Sequence, residues 1–434
     1  MRVLICATFL VVFSTCGLES TTNSAGISDS FVIRGAKIYS LAGAPIDRGS
    51  VVIRADKIVA VGKKVTVPAG ARIIDARGLE VYPGLVDAFS DMGLREVGSI
   101  PGTEDTSELG SYNPQLVAAM AINPDSALIP VARSNGITHT LTVAGWGGSA
   151  ISGQAAAIHL AGWTVDEMLV RRSAAMVLTW PGLDTRGFDF ATFTARQRPY
   201  SDVKREYDKA IGTLIEWFDR ARQYSQTTRD GGQKESVRDL KLEALVPVVR
   251  GELPLLVVAI RQRDIRNAVE FCERQKLKMI LAGGFEAWKV KDLLKARNIP
   301  VILGSPYILP VDEDAGYDDV YSNPGILSAA GVKIAFGSFD ASSSRRVPYY
   351  AASTVPYGLP HDEALRAITI YPAQILGIDD QLGTIEPGKI ANLIVTTGDP
   401  LAIPTEVRYL FIRGRLVDTD NKQRQLYEKY RKRP

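Results

Sequence analysis

The stretch from residue 254 to residue 282 decides the fold class. It opens with Pro254-Leu-Leu-Val-Val-Ala-Ile, continues through a helical pattern from Asp264 to Arg274, and closes with Lys278-Met-Ile-Leu-Ala. Continuous apolar runs of this length are typical of strands that are buried on both faces. A strand, a helix and a second strand in succession indicate parallel strands with the helix packed on the sheet. The stretch therefore predicts an α/β protein.

The same alternation extends outward from this stretch across residues 83–379. Further strands are predicted at 136–143, 300–303 and 332–336, and further helices at 286–296 and 361–376. A body of this length built from such units favours a closed (β/α)8 barrel, the TIM barrel, over an open sheet. A polar, Gln-rich stretch at 196–238 predicts an exposed helical insertion in this barrel.

The two ends of the chain carry a different pattern. Short runs rich in β-branched residues, separated by close turn signals, occupy residues 31–82 and return at residues 380–420. Such runs are typical of antiparallel sheets. Because the two segments flank one large body, we expect them to meet as a small composite β-sandwich beside the barrel.

The N-terminus predicts export. Arg2 precedes an apolar run from Val3 to Phe13, and small residues follow up to Cys16, which is the pattern of a secretory signal peptide. Residues 1–16 are therefore predicted to be the signal and residues 17–30 a flexible linker. The protein is predicted to be periplasmic or extracellular, and lipidation of Cys16 would anchor it to a membrane.

Composition excludes several classes of partner and site. The formal net charge is +3 and no basic stripe with interleaved aromatic residues occurs, so nucleic acid is not an expected partner. No second long apolar run follows the N-terminal one, and no transmembrane span is predicted. Cys272 is the one cysteine beyond the N-terminal segment, so the sequence predicts neither an internal disulfide nor a cysteine-based metal cluster.

Three motifs carry a resemblance to a known family. They are Val81-Tyr-Pro-Gly-Leu-Val-Asp-Ala, the segment 363–377, and the segment 382–395 that begins Leu382-Gly-Thr-Ile-Glu-Pro-Gly-Lys. In this order and spacing the chain resembles the amidohydrolase superfamily, in its imidazolonepropionase-like branch. The resemblance implies a hydrolase that acts on carbon–nitrogen bonds other than peptide bonds. It also implies zinc or another divalent ion, which lowers the pKa of a bound water to about 7.

The family's metal ligands are missing at the positions where the resemblance places them. A His-x-His pair on strand one falls on Phe89 and Asp91, and single histidines on strands five and six fall on Val258 and Gly283. The aspartate of strand eight falls on Phe339. We therefore expect no bound cofactor and a lost metal site.

Two further positions bear on whether any catalytic activity remains. Strand five could instead align its ligand position with Ile260, and Asp340 directly follows the strand-eight position. Side chains alternate along a strand, so Asp340 would point away unless a bulge re-aims it. The chain has three histidines, namely His139, His159 and His361, too few for a four-histidine site.

The first functional hypothesis is a pseudoenzyme, an amidohydrolase by ancestry that lacks metal-dependent catalysis. The second is a role in small-molecule binding or in assembly, either as a homodimer or paired with an active relative. Candidate pocket residues for that role are Arg261 after strand five, Trp146 in a Gly-rich segment, and Gln154 at the end of that segment. The third is a metal-independent hydrolase in which Asp91 and Asp340 act as acid and base.

Overall fold

The structure, a computed structural model, describes residues 30–145, 148–189, 194–229, 238–310, 312 and 314–433. The predicted signal peptide, most of the predicted linker and Trp146 lie outside the described residues, so the export prediction stays a prediction. Within the described part of the chain, no helix is both long enough and apolar enough to cross a membrane.

The chain alternates strands and helices through its middle and is mostly β at its ends. The strands are β1 (Ser30–Ile38), β2 (Ile46–Arg54), β3 (Lys57–Gly62), β4 (Arg72–Asp75), β5 (Glu80–Pro83), β6 (Leu85–Ser90), β7 (Ile137–Thr142), β8 (Ile151–His159), β9 (Leu169–Thr179), β10 (Arg186–Asp189), β11 (Thr194–Gln197), β12 (Leu255–Ala259), β13 (Met279–Gly283), β14 (Val301–Leu303), β15 (Ile334–Phe336), β16 (Leu393–Thr396), β17 (Val407–Ile412) and β18 (Arg415–Val417). The α-helices are α1 (Leu128–Arg133), α2 (Val165–Met168), α3 (Tyr200–Arg229), α4 (Leu240–Val249), α5 (Gln262–Arg274), α6 (Lys291–Ala296), α7 (Asp319–Ala329), α8 (Val347–Thr354), α9 (His361–Arg366), α10 (Ile370–Ile375) and α11 (Lys422–Tyr430).

Eight strands form the barrel, in the order β15-β14-β13-β12-β9-β8-β7-β6. This confirms the predicted barrel, with one correction to its topology. β8 runs antiparallel to both of its neighbours, β7 and β9, while the remaining strands are parallel to one another. No full helix separates β7 from β8, and a parallel connection needs a crossover of a dozen or more residues. The short β7–β8 connection therefore forces a reversal of direction.

The other large sheet joins the two chain ends, as the sequence predicts. Its order is β18-β17-β16-β5-β1-β2-β3, and β4 pairs with β1. The meeting of the two ends occurs where β16 pairs antiparallel with β5. The backbone N–H of Gly84 donates to the Asn392 carbonyl at 2.8 Å, so this sheet contacts the chain just before the first barrel strand.

Two apolar layers sandwich the barrel sheet. Along β12 the side chains alternate, with Leu256 and Val258 in one buried cluster and Leu255 and Val257 in another. The first cluster fills the barrel interior and the second packs beneath the surrounding helices. Both faces of the strand are therefore buried, which explains its continuous apolar sequence.

Two helical predictions need correction. The single helix expected at 361–376 is broken into α9 and α10, because Pro372 lacks the N–H and carries the ring that an uninterrupted helix excludes. The insertion does contain a long helix, α3, but its Leu214 and Phe218 side chains are fully buried. The insertion therefore packs on the body instead of being wholly exposed.

Candidate functional site

The C-terminal ends of the barrel strands hold an aromatic stack at two of the positions where the resemblance places metal ligands. Phe89, at the end of β6, is fully buried, and its ring stacks on Phe339 with centroids 4.0 Å apart and planes 12° apart. Val258 belongs to the same interior cluster, against which Phe339 packs. The structure thus brings together three of the five predicted ligand positions, and all three carry apolar side chains.

The backbone around Phe339 is fitted to this stack. Phe339 has a φ of 58°, a left-handed conformation that is costly for a residue with a bulky side chain. Its N–H donates to the Phe89 carbonyl at 2.8 Å. Gly337 lies so close that a Cβ atom there would sit 2.7 Å from the Phe89 Cβ and 2.8 Å from its backbone nitrogen. A strained backbone and a glycine together allow the two rings to meet.

Gly283, the fourth predicted ligand position, cannot readily accept a side chain. It ends β13 with a φ of 91°, a conformation that residues with a Cβ rarely adopt. A Cβ atom there would lie 3.1 Å from the carbonyl oxygen of Ala259 on the neighbouring strand. The local backbone therefore suits glycine and opposes a histidine.

Asp91, the fifth position, is buried and already hydrogen-bonded. One carboxylate oxygen accepts from the Ala341 N–H at 2.6 Å, and the other lies 3.3 Å from the Arg95 guanidinium. Burial raises the pKa of Asp91 and the charge of nearby Asp340 adds to this rise, while the Ala341 N–H and Arg95 oppose it. The carboxylate acts as an anchor between the loop after β6 and the loop after β15.

Asp340 caps a short 3-10 helix that spans Ala341–Arg346. Its carboxylate accepts from the Ser342 N–H at 3.0 Å and from the Ser342 hydroxyl at 2.7 Å. Asp91 and Asp340 are thus near each other, as the metal-independent hypothesis requires. Both carboxylates, however, are engaged by hydrogen-bond donors of the loop after β15.

Asp87 closes the barrel at the seam between its first and last strands. It is fully buried and accepts two hydrogen bonds from Ser338, one from the N–H at 2.8 Å and one from the hydroxyl at 2.6 Å. Burial raises the pKa of Asp87 to about 6, although the Ser338 hydrogen bonds lower it. Sequence reasoning missed this role because Ser338 is remote in the chain and carries no motif of its own.

The three histidines lie away from the C-terminal ends of the strands. His139 on β7 faces His159 on β8 in register, near the end of the barrel that contacts the chain-end sheet. The His159 Nδ1 atom lies 3.0 Å from the side-chain nitrogen of Asn392, and burial lowers the pKa of both histidines to about 3. His361 begins α9, where its Nε2 atom lies 2.6 Å from an Asp399 oxygen.

Arg261 takes part in ion pairs at the rim of the barrel. Its guanidinium contacts both oxygens of Asp312 at 2.7 Å, and its Nε lies 3.3 Å from Asp184. Arg261, which the sequence suggests as a pocket residue, is thus paired with carboxylates of the protein. These contacts join the loop after β12 to the loop after β14.

A side cavity of about 450 Å³ lies beside the barrel mouth, between the 105–121 segment and the turn that joins β7 to β8. Among the described residues, its wall atoms Gln115 Oε1 and Ser152 Oγ are buried and have no hydrogen-bond partner. Gln154 does not line the cavity but supports it, because its side chain donates to the Pro114 carbonyl at 3.2 Å and accepts from the Ser173 hydroxyl at 2.5 Å.

These side chains do not fit the metal that the resemblance implies. Borderline divalent metals such as zinc need three or four imidazole, thiolate or carboxylate ligands. The five ligand positions supply one carboxylate, Asp91, and three apolar side chains and a glycine. In the described ranges, no cluster of three or more His, Cys, Asp or Glu side chains could hold a metal ion.

Comparison with known proteins gives consistent matches. The model of the amidohydrolase family matches residues 270–417. A protein described as amidohydrolase tasK, from Hapsidospora irregularis, is 25% identical over 399 residues, which cover 84% of this chain. The chain spans only 39% of that relative's length.

Solved structures agree on the fold. The crystal structure of an amidohydrolase from Thermotoga maritima MSB8 is 26% identical, with a TM-score of 0.77 over 89% of this chain and 99% of that one. Molinate hydrolase, at 16% identity and a TM-score of 0.55, covers 90% of this chain and 95% of its own; at that identity the likeness concerns the fold alone.

Proposed function

We propose that the chain belongs to the amidohydrolase family, and that it is a hydrolase by descent that has lost metal-dependent catalysis and keeps a binding role at the barrel mouth. The observation that carries the proposal is the stack of Phe89 on Phe339, two positions at which the resemblance places metal ligands, against the apolar interior cluster of the barrel. We also propose that the chain belongs to the imidazolonepropionase-like branch of this family.

The replacements act together against a metal. Phe89, Val258 and Phe339 add apolar bulk to the interior, and an ion there would be desolvated without compensating ligands. The left-handed backbone of Gly283, at the end of β13, disfavours a metal-binding side chain at that position. A single change would therefore not restore the site, because side chains and backbone both differ.

The side cavity supports the binding role. Buried polar atoms normally have a hydrogen-bond partner, so the unpartnered Gln115 Oε1 and Ser152 Oγ favour a polar ligand or ordered water in this cavity. The volume of about 450 Å³ lies within the range of small-molecule sites.

The test combines metal counting with an activity screen. The purified chain is incubated with zinc, manganese or cobalt, desalted, and assayed against N-acyl amino acids, cyclic amides and dipeptides. We expect less than one metal ion per chain. We also expect that a chelator does not reduce any hydrolysis that is measured. Metal-free hydrolysis that disappears in both Asp91→Asn and Asp340→Asn would instead support an acid–base mechanism on these two carboxylates.

A second candidate role, assembly, is favoured by apolar side chains on the loops around the barrel mouth. Leu309 and Tyr317 are 87% and 79% exposed, and both follow β14. Exposed apolar residues grouped in this way are typical of contact surfaces. Sedimentation velocity tests this role on the wild type, on Leu309→Asp and on the control Ile403→Asp. If the role is correct, only Leu309→Asp weakens a dimer or a complex with an active relative.

A further inference from the structure

A cleft of about 690 Å³ lies at the opposite end of the barrel from the aromatic stack. One wall is α1 and the segment between β8 and β9, and the other is formed by β17, β18 and the start of α11. The cleft therefore lies between the barrel and the chain-end sheet, and none of the predicted site residues lines it.

The inner part of the cleft carries an unpaired positive charge. Arg133 ends α1, and its Nη1 donates to the Leu160 carbonyl at 3.2 Å. Its Nε is buried without a hydrogen-bond partner, and among the described residues no carboxylate lies within ion-pair distance of the guanidinium. Burial lowers the pKa of Arg133, and the charge of Asp418 offsets this only in part. A partly buried guanidinium without a counter-ion is costly, and a bound anion would relieve that cost.

The rim of the cleft carries both signs of charge. The cationic rim residues Arg413, Arg415 and Lys422 are exposed, and none of them forms an ion pair within the described part of the chain. The carboxylates of the lining are also exposed; they are Asp125, Glu167, Asp418 and Asp420. Arg133 is the one charged residue of the lining that is not exposed, so the rim has one more carboxylate than cations and the positive charge lies in the inner part of the cleft.

Three of those carboxylates already accept hydrogen bonds from the protein. Glu167 accepts from the Trp163 N–H at 2.9 Å, and Asp418 accepts from the Asp420 N–H at 2.8 Å. Asp420 in turn accepts from the Gln425 side chain at 2.8 Å. These acids shape the rim. Arg413 donates from Nη1 to the Glu167 carbonyl at 2.7 Å, an uncharged acceptor that leaves its positive charge uncompensated, and Arg415 forms no ion pair within the described residues.

An aromatic side chain flanks the cleft. Trp163 is 89% exposed, which is unusual for the largest apolar side chain. Indole rings bind planar groups by stacking. We propose that this cleft binds a small organic phosphate, with its oxyanion on Arg133 and the rim arginines and a planar body against Trp163. Phosphate suits this arrangement because guanidinium groups bind its oxygens in pairs.

Calorimetry with phenyl phosphate tests the proposal on the full chain, with inorganic phosphate as the probe that lacks a ring. We expect phenyl phosphate to bind, and Arg133→Met to weaken it by about tenfold or more, since one charge-assisted pair is lost. Trp163→Ala should weaken phenyl phosphate several-fold and leave inorganic phosphate unchanged. The control Arg408→Met removes an exposed arginine outside the cleft and should change neither.

A second variant at the same position separates loss of binding from loss of folding. Arg133→Lys retains the charge and should bind with intermediate affinity, which guards against a folding defect in Arg133→Met. Equal affinity in wild type and Arg133→Met, or no binding of phenyl phosphate, overturns the proposal. Binding to phosphatidylglycerol vesicles but not to phenyl phosphate would also overturn it, because the phosphate would then belong to a lipid surface.

Discussion

The rings of Phe89 and Phe339 stack with their centroids 4.0 Å apart, although Phe89 lies on the first strand of the barrel and Phe339 follows the last one. The Phe339 N–H also donates to the Phe89 carbonyl at 2.8 Å. This pair performs two tasks. It adds apolar bulk to the interior cluster of the barrel, and it joins the first strand to the loop that follows the last one.

Phe89→Ala should destabilise the protein by about 3–5 kcal/mol, because it removes a fully buried ring and leaves a cavity. Urea unfolding followed by circular dichroism measures this. The control Tyr427→Ala removes an aromatic ring that is 65% exposed and should change the free energy of unfolding by less than about 0.5 kcal/mol. Equal effects of the two variants would contradict the structural role of the stack.

Gly337→Ala should also destabilise the protein, by about 1–3 kcal/mol, because the new methyl group would meet Phe89 at the seam. The matched control is Gly212→Ala, where α3 leaves open space around the new methyl group. There we expect a stabilisation of about 0.5–1 kcal/mol, since alanine is the better helix former. A neutral Gly337→Ala would mean that the seam is looser than the structure indicates.

Asp87→Asn should change how stability depends on pH. Burial raises the folded-state pKa of Asp87 to about 6, above its unfolded value of 3.8, so the folded protein binds the extra proton between these values. The wild type therefore loses stability relative to the variant as pH rises through this window, by up to about 1.4 kcal/mol per pH unit. Parallel unfolding free energies for both proteins from pH 4 to pH 7 would refute this assignment.

His139→Gln should have the opposite effect. Burial lowers the folded-state pKa of His139 to about 3 from 6.5, so the unfolded chain binds the proton first as pH falls. The wild type should lose stability relative to His139→Gln below pH 6.5, again by up to about 1.4 kcal/mol per pH unit. Thermal melts at several pH values measure the difference. His361→Gln, at a half-exposed position, is the control and should show no comparable loss in acid.

The sequence predicts the barrel well where burial determines the pattern. The apolar runs that became β12 and β13 are buried on both faces, so their strand character can be read directly from composition. The runs that form β8 and β9 are not among the predicted strands, and the direction of β8 could not be read from composition, because an apolar run looks the same in either orientation. The break between α9 and α10 could have been found, since Pro372 marks it.

The positions of the candidate site come from the sequence, whereas its contacts do not. The replacements at Phe89 and Phe339 are visible in the sequence, whereas their stacking depends on the left-handed backbone of Phe339. The hydrogen bond between Asp87 and Ser338 joins residues that are 251 positions apart in the chain, and no local sequence pattern indicates such a pair. Tertiary contacts of this kind depend on how the barrel closes.

The most direct test of the central claim is the zinc content of the protein after loading and desalting, measured by mass spectrometry of the metal. A catalytically active amidohydrolase with its histidine ligands serves as the positive control. The account predicts zinc well below one ion per chain, unchanged in Asp91→Asn. One or more tightly bound ions per chain, together with hydrolysis that chelation abolishes and zinc restores, would contradict it.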